Sequence, residues 1–308
     1  MKKLSTAIIC LLLVACIVLP LCACQAEHEC ASKCPRCEKC TNASCTEKNC
    51  KEKCTCKPVI HDSWTILQGK THVGESAETT VHVFDSQIEG PNIAIVGGTH
   101  GDEVAGWTAG LQLVDLIPQL KGFCGKILLI PQANIVADNH KVRYAGSSNK
   151  SNLNRVYPSG RISGADEEVV AIADAIVKTV EDFQPDYVID LHESRGSWTG
   201  AGASKNSTLG DTLIFDNEGL FMDELLTRYN TVYRQEGEPE FLSEPANKAG
   251  SFSKYFSEKY PNNVVFTIET NRDYNSATKT DQIALDTRVR QQLNILNALF
   301  DLAWNRIK

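Results

Sequence analysis

His100 and Glu103 stand three residues apart in Gly-Gly-Thr-His-Gly-Asp-Glu, residues 97–103. The stretch follows an apolar run, Ile93-Ala94-Ile95-Val96, and leads into a segment with helical patterning. Residues three apart at a helix start project to one side, so both side chains could reach a single ion. Imidazole nitrogen and carboxylate oxygen are good zinc donors, and catalytic zinc sites use three protein ligands plus water. Alone the pair is a weak signal, because an acidic residue here also simply favours a helix N-terminus. Gly97, Gly98 and Gly101 strengthen it, since they suit a tight turn with close backbone approach. His192, in Tyr-Val-Ile-Asp-Leu-His-Glu-Ser, offers a third donor, and Asp190 two residues earlier could orient a neighbouring ligand. Glu269 lies in Val-Val-Phe-Thr-Ile-Glu-Thr, where a carboxylate is costly unless paired or exposed in a cleft. Two readings stay open for it: a salt bridge to Arg272, or a general base for a zinc-bound water. Between His140 and Gly160, Arg143 and Arg155 stand twelve apart with Asn154 beside the second. An arginine fork can hold a carboxylate bidentately, although a polar loop of this kind also suits plain solvation.

These residues need elements to position them. Short β-branched runs bounded by Gly, Pro or Asn predict strands over Thr79–Phe84, Asn92–Val96, Lys126–Ile130, Asp186–Asp190 and Asn263–Ile268. Apolar spacing predicts helices over Glu103–Ile117, Asp166–Phe183, Leu220–Tyr233, Ser251–Glu258 and Ile283–Arg306. Strands alternating with helices imply an α/β sheet covered on both faces. Functional residues in such sheets collect beyond the carboxyl ends of strands, where the clusters of His100, His192 and Glu269 all fall.

The chain has 308 residues, 42% of them hydrophobic, enough for one large domain or two small ones. Its formal net charge of −7 makes nucleic acid a poor partner, so an anionic substrate would be caught by locally placed arginines. Lys2 and Lys3 followed by an apolar stretch to about Leu21 read as an export signal, residues 1–23. Leu-Val-Ala-Cys ending at Cys16 and Leu-Cys-Ala-Cys ending at Cys24 both resemble the lipobox of bacterial lipoproteins. Cys24 is favoured, because the apolar run continues past Cys16. That resemblance implies a membrane-anchored lipoprotein outside the cytoplasm; a plain signal peptide or uncleaved anchor is the other reading. Eight cysteines crowd Cys30–Cys56, within a linker or small module over residues 24–58. Disulfides in an oxidising compartment are favoured over thiolate metal binding there. Cys124 reads as a small buried residue. The globular part is expected over residues 59–308. Serine and thiol hydrolysis find little support: no Gly-x-Ser-x-Gly occurs and no His lies near Cys124 in sequence.

Taken together, the His-x-x-Glu pair, a His roughly ninety residues later and a strand-end Glu near a last helix resemble the zinc carboxypeptidase superfamily. Gly-Gly-Thr-His-Gly-Asp-Glu, Leu-Asn-Arg-Val-Tyr-Pro and Phe-Thr-Ile-Glu-Thr most resemble its succinylglutamate desuccinylase/aspartoacylase family, and also bacterial carboxypeptidases and amidases that trim cell-wall peptides. The resemblance covers roughly residues 60–308. It implies a mixed, mostly parallel sheet flanked by helices on both faces. It implies one zinc ion held by His100, Glu103 and His192, with Glu269 as general base and then acid. Arg143 would polarise the scissile carbonyl, and Asn154 with Arg155 would grip a terminal carboxylate. A substrate-contacting tyrosine is expected shortly before Glu269, with Tyr255 or Tyr260 in that place. The implied substrate is a small N-acyl amino acid or a peptide, with no protein partner. A ligand- or metal-binding lipoprotein without catalysis is the alternative of another class. Two departures matter. The family usually has Asp before Leu-Asn-Arg, where it can support a zinc-ligand His; here Asn152 stands, which supplies no negative charge. Family members also usually carry an extra C-terminal β-domain, whereas 39 residues follow Glu269, so a more open site is expected.

Overall fold

The computed structural model describes residues 59–65, 74–120, 123–198, 208–215, 220–245 and 248–305. The expected export signal and the cysteine-rich segment lie outside the described residues.

Four parallel strands form the centre: β3 (Asn92–Gly97), β4 (Lys126–Ile130), β5 (Tyr187–Ser194) and β8 (Val264–Asn271). Such strands are apolar on both faces because helices cover both. In β3, Ile93 and Ile95 point into one core with α1 (Val104–Leu116), α4 (Leu220–Arg228) and α6 (Leu285–Asn305). Ala94 and Val96 point into the other, with α2 (Ile135–His140), α3 (Glu167–Phe183) and α5 (Phe252–Lys259). Two strands flank the centre on one side: β1 (Val59–Thr65) pairs antiparallel with β2 (Thr80–Asp85), which runs antiparallel to β4. On the other side, β6 (Thr212–Phe215) runs antiparallel to β8 and pairs in parallel with β7 (Leu242–Glu244). The order is β1-β2-β4-β3-β5-β8-β6-β7, a mixed sheet with helices on both faces as the resemblance implies. A small hairpin, β9 (Tyr274–Asn275) with β10 (Thr280–Asp281), separates β8 from α6.

Several elements differ from the sequence reading. β5 and β8 both run past their expected ends, because their ladder continues through His192↔Glu269, Glu193↔Thr270 and Ser194↔Asn271. His192 and Glu269 therefore sit inside strands rather than just beyond them. The helix expected over Leu220–Tyr233 is α4 followed by one π-helical turn, Tyr229–Tyr233. β1, β6, β7 and α2 were not anticipated.

Candidate active site

The turn between β3 and α1 is shaped by contacts that leave no room for a side chain. Gly98 has φ +75°, and a Cβ there would fall 2.3 Å from Asp138 Oδ2. At Gly101 a Cβ would fall 2.0 Å from the Ala137 carbonyl oxygen. The turn lies directly on α2, tied by Ala133 N–H to the Gly97 carbonyl (2.8 Å) and Asn134 N–H to that of Gly98 (2.9 Å). This docking aims His100 and Glu103 inward, and each is only 3% exposed.

Both imidazoles turn the same nitrogen to one carboxylate. His100 Nδ1 lies 2.9 Å from Glu103 Oε1, and His192 Nδ1 lies 2.6 Å from Glu103 Oε2. Each Nε2 is held from behind: that of His192 by Asp190 Oδ2 at 2.7 Å, that of His100 by Asn152 Oδ1 at 2.9 Å. The second oxygen of Asp190 accepts from the Thr99 hydroxyl. The Asn152 amide is fixed in orientation, since its nitrogen donates to Asn149 Oδ1 (3.1 Å) and its oxygen also accepts from Asn154 N–H (3.0 Å). Asn152 thus orients His100 as an acceptor without contributing charge. One donor atom from each of His100, Glu103 and His192 lies within 4.8 Å of the others. Two imidazoles with backed Nε2 atoms and one carboxylate form a donor set that fits zinc.

The local field keeps Glu103 anionic. Burial opposes its charge, but His100, His192 and Arg143 together hold the carboxyl well below the usual range. Burial would lower His192, yet Asp190 and Glu103 raise it well above its usual value. His100, with a neutral amide behind it, is pushed down by burial despite Glu103.

Glu269 is the register partner of His192 on the neighbouring parallel strand, so both side chains leave the same face of the sheet. It is half-buried, and burial raises its pKa to about 8, against the opposing pull of His192. Among the described residues it makes no ion pair. Arg272 turns elsewhere, donating to the Asp102 carbonyl (2.5 Å) and approaching Asp102 Oδ2 at 3.3 Å.

Glu269, His192, Arg143, Asn154 and Arg155 line one cavity of about 460 Å³. Arg143 follows α2 and donates from Nη1 to Glu103 Oε1 at 2.6 Å. Burial would lower its pKa, but Glu103 and Asp102 raise it. Asn154 and Arg155 sit on a 3-10 turn, Leu153–Arg155, with Asn154 Oδ1 accepting from Phe252 N–H at 2.9 Å. Burial and then the neighbouring Arg143 push Arg155 below its usual range. A cation so placed gains from an anionic ligand.

Tyr255 does not line this cavity. Its hydroxyl donates to Glu181 Oε1 at 2.5 Å on α3, and its ring packs edge-on against Phe256. The expected tyrosine contact is corrected accordingly; Tyr260 stacks on Phe256. Helix α5 buries Phe252 and Phe256 in the core, which carries Tyr255 to the α3 side. The sequence reading missed Arg195, Lys248 and Arg272, which also line the cavity. Arg195 lies three residues past His192 and was within reach of sequence reasoning; Lys248, in the loop before α5, carries no motif.

Residues 89–200 match the family model of the succinylglutamate desuccinylase/aspartoacylase catalytic domain. The span contains His100, Glu103, Arg143, Asn154, Arg155 and His192. Carboxypeptidase A from Helicoverpa armigera superposes with a TM-score of 0.57 at 10% identity, covering 80% of this chain and 68% of that one.

The chain has a carboxypeptidase-like fold.

An aspartoacylase family protein from Mesorhizobium loti gives a TM-score of 0.52 at 19% identity, covering 80% of this chain and 70% of that one. Tripeptide-bound Csd4, a cell shape determinant from Helicobacter pylori, gives 0.54 at 16% identity and covers 70% of this chain. The matched region spans about half of Csd4, 51% of its length. No curated protein matches the chain in sequence.

Proposed function

We propose that the protein is a zinc-dependent hydrolase that cleaves an amide bond in a carboxylate-bearing substrate. One observation carries this reading: three buried zinc-type donors converge beside Glu269, whose strand register sets it next to His192 in the same cavity. His100, Glu103 and His192 would hold the ion. Zinc bound there supplies Lewis acidity, making a water more acidic and a carbonyl more electrophilic. Glu269 accepts the proton of the attacking water and returns it to the leaving amine. A pKa raised by burial suits both halves of that task, and a nearby cation draws it back down towards neutrality. Arg143 donates to the carbonyl oxygen as negative charge grows on it. Arg155 and Asn154 hold the substrate's carboxylate, fixing the scissile bond against Glu269.

The match to the succinylglutamate desuccinylase/aspartoacylase family model supports N-acyl amino acids as the substrate class. The Csd4 structures, described as tripeptide-bound and as the mDAP-bound form of a D,L-carboxypeptidase, keep peptide C-termini as the alternative. We place the reaction outside the cytoplasm on the strength of the N-terminal sequence, with Cys24 as the lipid anchor. The test is a substrate panel of N-acetyl-aspartate, N-succinyl-glutamate and short peptides, assayed with zinc on the wild type and on Glu269→Gln. The wild type should turn over at least one member, and the variant should keep stoichiometric zinc but lose nearly all turnover. A variant as active as the wild type removes Glu269 from the chemistry.

A further inference from the structure

Asp102 lies between the two expected ligands, His100 and Glu103, and the proposed reaction gives it no task. Its surroundings supply one. The side chain is fixed from one direction by Arg272, itself 3% exposed, which donates to the Asp102 carbonyl at 2.5 Å and approaches Oδ2 at 3.3 Å. Arg272 is in turn anchored: its backbone N–H donates to the Ser194 carbonyl at 2.9 Å, and its guanidinium lies 5.7 Å from the Tyr274 ring centroid. The other oxygen, Asp102 Oδ1, is buried and accepts no hydrogen bond among the described residues. Arg143 Nη1 lies 3.7 Å from it, beyond hydrogen-bond reach, because that same Nη1 donates to Glu103 Oε1 at 2.6 Å.

Besides His100 Nδ1, Glu103 Oε1 therefore has two claimants. Arg143 holds it here, and the proposed ion needs the same carboxylate. A buried acceptor with an open lone pair waits beside the arginine. We infer that Asp102 is a positioning residue for Arg143, drawing its guanidinium off Glu103 and holding it over the cavity. A shift of roughly 1 Å closes the Arg143–Asp102 hydrogen bond. Glu103 is then released to the ion, and the rest of the arginine fork faces the carbonyl of the substrate. Arg272 makes this possible by keeping Asp102 from following Arg143 into the cavity.

The inference rests on the zinc reading but does not need a known substrate. The test is a double-mutant cycle on zinc affinity, measured by competition with a chromophoric chelator on the full chain. Asp102→Asn keeps the shape and the backbone carbonyl that Arg272 uses, and should weaken zinc about tenfold, as loss of an orienting partner typically does. Arg143→Met removes the competitor for Glu103 and should tighten zinc. In the Arg143→Met background, Asp102→Asn should then change the affinity by less than about twofold. An equal factor in both backgrounds means that Asp102 acts only through its charge on the ion, and overturns the inference. Asp102→Ser, run through the same cycle, replaces the Asn variant should that one unfold. If His100→Ala keeps wild-type zinc affinity, the zinc site itself is elsewhere, and the reading fails along with this coupling.

Discussion

Replacing Glu269 with glutamine should flatten the pH dependence of stability in protein stripped of divalent metal. The carboxyl titrates near pH 8 in the folded chain, against an ordinary value of 4.5. A carboxyl raised on folding binds its proton more tightly in the native state. Its stabilising effect is complete below pH 4.5 and disappears as the pH climbs through 8. At about 1.36 kcal/mol per pH unit the whole shift would amount to ~5 kcal/mol. Water reaches part of this half-buried side chain and screens it, so about 2–4 kcal/mol is the expected difference. Glu193, raised to about 7 by burial against the pull of Arg288, adds a slope of the same sign in both proteins and cancels in the comparison. Urea unfolding in the presence of a chelator should be followed at pH 5 and pH 9. The two proteins should be nearly equal at pH 5, where Glu269 carries a proton and resembles glutamine. At pH 9 the variant should be the more stable. Parallel pH slopes for wild type and variant would refute the claim that burial controls this carboxyl.

Three further outcomes follow from single contacts. Arg155→Ala should raise KM roughly 10- to 100-fold on carboxylate-bearing substrates with a smaller effect on kcat, because it removes a charge-assisted hydrogen bond worth ~1.5–3 kcal/mol; steady-state kinetics on paired substrates with and without the carboxylate reads this. Asn152→Leu should weaken zinc by about 10- to 100-fold in chelator competition by leaving His100 Nε2 without its acceptor, whereas Asn152→Asp should bind zinc at least as tightly as the wild type. Gly101→Ala should cost about 2 kcal/mol or more in urea unfolding, since its Cβ would meet the Ala137 backbone rather than a movable side chain.

The central strands were legible because apolar runs such as Ile93–Val96 are long enough to declare themselves and are bounded by glycine. β6 and the edge strand β7 were not, because four- and three-residue runs gain their conformation from a neighbour rather than from their own pattern. His100, Glu103, His192 and Glu269 could be named because few histidines occur and each stands at or just after the end of an apolar run. Their mutual arrangement came only with the fold, since the His192–Glu269 pairing is a property of two strands far apart in sequence. Tyr255 shows the opposite failure: a position relative to Glu269 along the chain says nothing about which side of α5 faces the cavity. The contacts of Asp102 were beyond sequence reasoning for a similar reason, because Arg272 reaches it across 170 residues. Asn152 was flagged as a departure, and its carbonyl takes the orienting role while the charge is missing.

The register between β5 and β8 also bears on how such a protein can change over generations. His192 and Glu269 are neighbours on one rung of a parallel ladder, and a one-residue insertion in either strand would turn one of them to the opposite face. The distance between His192 and Glu269 is thus not tunable in small steps. Arg155 and Lys248, by contrast, sit on connecting segments, where insertion is better tolerated, and both line the same cavity. Lineages built on this frame can vary the cavity rim residue by residue, while the His192–Glu269 pair passes on intact or is lost in one event.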